Sequence, residues 1–120
     1  MIYYAHSKKI FNTEIEKREE EFIRKYFGDE VFNPNCEEIL KAEEKWRMPK
    51  CYDKIKNSAS LVFSCYNGTI EFRVYKEIKA AERYNIPIFI LRDEMVYEYD
   101  PSQLKILYDR FNRMGAFAEP

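Results

Sequence analysis

What this chain has little of narrows its possibilities first. No long apolar run is present: Ile86–Leu91 is among the longest and is far shorter than the roughly 20 residues a bilayer-crossing helix requires. Met1 leads directly into Ile2-Tyr3-Tyr4 with no charged n-region or apolar h-region, so a soluble, cytoplasmic protein without a membrane partner is expected. Three cysteines, Cys36, Cys51 and Cys65, are odd in number, widely spaced and without a C-x-x-C pair. Neither a disulfide framework nor a zinc knuckle fits that pattern. His6 is the sole histidine, which excludes a multi-histidine metal site, and no metal or other cofactor is expected. Charge of one sign is missing too. Twenty lysines and arginines face 21 aspartates and glutamates, so no overall field draws the chain to a nucleic-acid polymer or an anionic membrane.

What remains is one domain's worth of material, 120 residues of which 46% are hydrophobic, with aromatics prominent. Ile2-Tyr3-Tyr4-Ala5 reads as a first strand bounded by polar His6-Ser7-Lys8-Lys9. Thr13 and Glu16 form a capping-box signature. Ile15, Phe22, Ile23, Tyr26 and Phe27 then recur on one face until Gly28, predicting a first helix of about four turns. Glu30-Val31-Phe32 makes a short second strand, ended by Asn33-Pro34-Asn35. Asn35 and Glu38 repeat the capping logic for a second helix, with Ile39, Ala42 and Trp46 as its buried stripe and Pro49 as its end. A short helical segment follows at Tyr52–Asn57.

Leu61-Val62-Phe63 lacks polar alternation and predicts a central strand covered on both faces. Val74, Ile78 and Ala81 set a narrow stripe on a third helix, and Ile86–Leu91 is the next buried strand. Met95–Tyr99 follows too closely for a parallel crossover and so reads as an antiparallel edge strand. Asp100-Pro101 opens a last helix carrying Leu104, Leu107, Tyr108 and Phe111, with a loosely ordered tail from Asn112 to Pro120. Alternating strands and helices predict a single-domain α/β protein, a flavodoxin/Rossmann-like three-layer sandwich over residues 1–111. Its mostly parallel sheet has four or five strands in order 2-1-3-4, an antiparallel edge, and helices on both faces.

In such a sheet ligands bind outside the carboxyl ends of the strands. That crevice would be lined by His6 and Ser7, by Asn33 and Asn35, and by Tyr66, Asn67, Gly68 and Thr69. Gly68 permits a tight turn, and the Thr69 hydroxyl with the amides that follow suits an anion at a helix N-terminus. Glu77, beside Val74 and Ile78, is expected at the margin of an apolar stripe, where partial burial raises a carboxyl pKa. Glu71, Lys76 and Glu82 read as its solvated neighbours.

Ile2-Tyr3-Tyr4-Ala5, Asn33-Pro34, Ala59–Ser64, Gly68-Thr69 and Glu77-Ile78-x-x-Ala81, with Pro87 ten residues after the glutamate, together resemble the nucleoside 2-deoxyribosyltransferase superfamily across Ile2 to Leu91. The resemblance implies an enzyme that cleaves or exchanges the N-glycosidic bond of a nucleoside or its 5′-monophosphate. Glu77 would be the nucleophile and Tyr3 its orienting partner, and a neighbouring subunit would help close the site in a homo-oligomer. Ser7, Lys8 and Thr69 would contact a phosphate. The family's aspartates around strand 3 are replaced by Ser60 and by Tyr66-Asn67, and its Gly-Tyr pair by Lys79-Ala80. A non-catalytic nucleotide-binding or signalling module of the same fold is therefore the competing expectation.

Overall fold

The computed structural model describes the backbone of residues 1–118 and the side chains of residues 1–109. Strands β1 (Ile2–Ala5), β2 (Val31–Phe32), β3 (Ser60–Ser64), β4 (Ile88–Arg92) and β5 (Met95–Glu98) form one sheet in the order 2-1-3-4-5. β1 pairs in parallel with β2 and β3, β3 pairs in parallel with β4, and β5 is the antiparallel edge. The chain therefore starts at the middle of the sheet and reverses its direction of travel between β1 and β3. The carboxyl ends of β1 and β3 lie side by side, with Ala5 opposite Phe63.

Helices α1 (Glu14–Phe27), α2 (Glu37–Leu40), α3 (Glu44–Lys56), α4 (Phe72–Arg83) and α5 (Pro101–Ala118) cover the two faces unequally. Because side chains alternate along a strand, Tyr3 joins Leu61 and Phe63 in a core with residues of α2, α3, α4 and α5. Tyr4 joins Ile2, Val62 and Leu91 in a smaller core with Ile23 of α1. Both tyrosines are fully buried, one per face.

The capping signals of α1 hold at both ends. Thr13 Oγ1 accepts from the Glu16 amide at 3.3 Å, and Gly28 ends the helix in the left-handed conformation at φ 61°. Of the apolar face expected there, Ile23 is fully buried, whereas Ile15 and Tyr26 are exposed. The second helix differs more. Cys36, not Asn35, occupies its N-cap position, and no side chain caps it. It ends at Leu40, and Arg47 reaches back to donate to the Leu40 and Ala42 carbonyls at 3.1 Å each, satisfying carbonyls left open past the helix end.

A new helix, α3, then begins at Glu44, and Pro49 falls inside it instead of closing it. That restart turns Trp46 outward: it is 53% exposed, with Lys45 Nζ 5.7 Å from its ring centroid. Asp100 caps α5 by accepting from the Ser102 amide at 3.0 Å, and Leu104 is buried. The backbone of α5 continues through Ala118, past the expected start of a tail at Asn112. Glu119 and Pro120, and the side chain of Phe111, lie outside the described residues.

Candidate active site

Tyr3 points from β1 into the larger core, and Glu77 points down from the second turn of α4 to meet it. The Tyr3 hydroxyl donates to Glu77 Oε2, 74 residues away in sequence. Glu77 was expected at the edge of the apolar stripe and is instead wholly enclosed, at 0% exposure. Its other oxygen, Oε1, accepts no hydrogen bond among the described residues. The nearest positive charge is Arg73 Nη1 at 3.7 Å, one helical turn back on α4.

Burial pushes the Glu77 carboxyl pKa upward, and the Arg73 charge and the Tyr3 hydrogen bond oppose that rise. Burial and the facing carboxylate hold the Tyr3 phenol well above the ordinary tyrosine range, so it acts as a neutral donor. Cys51, on α3, hydrogen-bonds with Tyr3, and burial pushes its thiol up to about 11, so it remains protonated at neutral pH.

Arg73 organises what surrounds the pair. Its Nη2 donates to the His6 carbonyl at 2.5 Å and lies 3.7 Å from Glu71 Oε1, its guanidinium sits over the Phe11 ring, and its Nε has no hydrogen-bond partner among the described residues. Glu71 is not the solvated neighbour expected from sequence. Its carboxylate accepts from Ser7 Oγ at 3.2 Å and from the Lys8 amide at 3.1 Å, pinning the loop after β1 to the start of α4. A cavity of about 200 Å3 opens beside this cluster, walled by Phe11, Pro34, Ile39, Leu40, Met48, Cys51 and Phe72. Its charged lining is Lys8, Arg47, Arg73 and Lys76 against a single carboxylate, Glu44. Cys51 and Arg73 line this cavity and also touch Tyr3 or Glu77, so they stand between the buried pair and the opening.

The remaining residues expected in the crevice sit in other arrangements. His6 is fully buried, stacked on the Tyr4 ring at 3.8 Å, with Nε2 2.7 Å from Glu16 Oε2 and Nδ1 3.1 Å from the Tyr4 carbonyl. Burial lowers the His6 pKa despite the nearby carboxylate. Burial alone would raise Glu16, but donors from His6, the Asn12 amide and Asn35 outweigh it and leave its pKa lowered.

Asn35 Nδ2 is spent on Glu16 and on Asn12, at 3.1 Å, and Asn33 Oδ1 takes the Asn35 amide at 2.8 Å. These groups brace the loops after β1 and β2 and do not line the cavity. Tyr66 and Thr69 exchange both backbone hydrogen bonds at 3.0 Å around Asn67 and Gly68, whose φ angles of 52° and 70° make a tight reverse turn. The Thr69 hydroxyl is used within that turn, on the Tyr66 carbonyl at 2.7 Å. α4 starts only at Phe72, so the Gly68-Thr69 turn does not open onto its N-terminus.

On the opposite face the Tyr4 hydroxyl donates to Glu19 Oε1 at 2.5 Å, and Ser64 Oγ donates to the same oxygen at 2.7 Å. The sheet thus carries a tyrosine–glutamate pair on each side. Sequence reading missed Arg73, Glu71 and Glu19. A signal existed for two of them: Arg73 stands four residues before Glu77, and Glu19 shares a helical face with Glu16 and Ile23 at i, i+3 and i+7.

Among the described residues no three histidine, cysteine or acidic side chains come close enough to hold a metal ion, and no helix is long and apolar enough to cross a membrane. No protein-family model, curated protein or solved structure matches this chain.

Proposed function

We propose that this chain cleaves or exchanges the N-glycosidic bond of a nucleoside 5′-monophosphate, in the manner of nucleoside 2-deoxyribosyltransferases, with Glu77 as nucleophile. The observation that carries the reading is the buried Tyr3–Glu77 contact between β1 and α4. It fixes one oxygen of a buried carboxylate and leaves the other without a hydrogen-bond donor. An oxygen held that way has no hydrogen bond to break before it bonds carbon.

In the first half-reaction Glu77 Oε1 attacks the anomeric carbon, and the bond to the base breaks through an oxocarbenium-like transition state. The departing base takes up a proton from water in the cavity. In the second half-reaction, water or another base displaces Glu77 from the sugar and releases its proton to solvent, with net retention.

The cavity's charge supports a phosphorylated substrate over a free nucleoside, since four cationic side chains face one carboxylate. Lys8 and Lys76 meet the phosphate, and its charge turns Arg73 aside from Oε1 while leaving it beside the Glu77 carboxylate, which opens Oε1 to the sugar. A homo-oligomer belongs to the same proposal: Phe72, on the cavity wall, is half exposed and would be covered by a second copy. Cytoplasmic action on a soluble metabolite is part of it too.

The test is incubation with a panel of deoxynucleosides and their 5′-monophosphates, with free base read by chromatography. Release from monophosphates that vanishes in Glu77→Gln supports the proposal. The complete enclosure of Glu77 favours a second reading, a nucleotide-binding module without turnover. Saturable nucleotide binding with no base released by either form would select that one.

A further inference from the structure

A second cavity, at about 500 Å3 larger than the one beside Glu77, is on the other side of the sheet and shares no lining residue with it. It lies between α1 and the β4–β5 turn. Ile15, Phe22 and Leu91 give it apolar walls. Glu19 is its partly buried anchor: Tyr4 and Ser64 both donate to Oε1, while Oε2 takes no hydrogen bond from any described residue. Burial pushes the Glu19 carboxyl upward, and Oε2 is not among the buried unpartnered atoms, so it is open to solvent.

Three further carboxylates, Glu21, Asp93 and Glu94, stand around this one. Asp93 and Glu94 form the two-residue β4–β5 turn, both with positive φ, at 52° and 59°. Arg18 and Lys25 also line the cavity, yet neither forms an ion pair within 4.0 Å of a carboxylate among the described residues. The four carboxylates exceed those two cations and are too dispersed to converge on a metal ion. Separated negative charges joined by apolar wall match a ligand of the same build: ammonium groups spaced along a methylene chain.

We infer that this cavity binds an aliphatic polyamine, with one ammonium on Glu19 Oε2, its methylenes along Phe22, Ile15 and Leu91, and a second ammonium at the Asp93-Glu94 turn.

Calorimetric titration of the full chain with spermidine at low ionic strength tests the inference, with magnesium chloride and butylamine as comparison ligands. The expected result is saturable one-to-one binding of spermidine, at least tenfold weaker for either comparison ligand. Glu19→Gln, which keeps an acceptor for Tyr4 and Ser64, should weaken it at least tenfold, and Glu77→Gln should leave it unchanged. Asp93→Asn, in an exposed turn where folding is not at stake, should weaken it several-fold, and spermidine should shift the Asp93 and Glu94 amide resonances of the unmodified protein. No saturable binding into the millimolar range, equal binding of magnesium, or affinity indifferent to both Glu19→Gln and Asp93→Asn would overturn it.

Discussion

At the scale of single residues, the chemistry of the candidate active site turns on how a buried carboxylate is kept usable. Glu77 loses its hydration entirely and regains one hydrogen bond, from Tyr3, and one charge, from Arg73. Its pKa is raised, and only the ionised form attacks carbon, so activity should climb as pH rises through that pKa. Arg73 is the largest influence opposing the rise. Replacing it by glutamine should therefore move the acid limb of the kcat/KM profile to higher pH and lower turnover at neutral pH by about tenfold or more. A profile that keeps its acid limb in place would show that Arg73 does not set the state of Glu77.

That Tyr3 and Glu77 meet was expected from the resemblance, and the structure contains that contact. Glu71 was not legible in the sequence, since a glutamate in the residues before a helix looks the same whether it faces water or accepts from Ser7 and Lys8. That bond joins loops 63 residues apart, and no local pattern reports it.

At the scale of elements, the readable parts were those governed by local rules. The α1 caps and the Val74–Ile78–Ala81 stripe of α4 follow from spacing alone. The break between α2 and α3 does not, and the Arg47 side chain folded back onto two carbonyls there is a contact that no spacing reports. Pro49 consequently sits in the second turn of α3, where it supplies no amide to the Lys45 carbonyl. Pro49→Ala should restore that bond. The gain is about 1–2 kcal/mol, as roughly 3 kcal/mol of helix penalty is recovered and about 1 kcal/mol of unfolded-state restriction is given up. Urea denaturation measures it, and an unchanged or lower midpoint would mean that the ring's packing outweighs the missing hydrogen bond.

At the scale of the whole molecule, the sheet order was legible because right-handed crossovers and the short β4–β5 connection leave few alternatives. The uneven covering of its faces was not. Four helices crowd the Tyr3 face and one covers the Tyr4 face, and that imbalance accompanies the larger cavity against α1.

The buried hydrogen bond between His6 and Glu16 ties β1 to α1 and, through Asn35, to the loop after β2. Glu16 has a lowered folded-state pKa, so its contribution to stability is present above the unfolded value of 4.5 and is lost as pH falls through the folded one. Glu16→Gln should accordingly cost stability at neutral pH and flatten the loss of stability below pH 4.5. Chemical denaturation from pH 7 to pH 3 checks this. Parallel pH curves for the two forms would place the acid sensitivity elsewhere.

The central claim, that one carboxylate oxygen at Glu77 bonds to the sugar, is tested most directly by trapping that bond. A 2′-fluoro-arabino nucleoside 5′-monophosphate slows the second half-reaction more than a natural substrate does, and intact-mass spectrometry followed by peptide mapping reads the product. The account predicts an added fluorosugar phosphate on Glu77 in the unmodified protein and none in Glu77→Gln. An adduct on a different residue, or base released at the same rate by Glu77→Gln without any adduct, would contradict it.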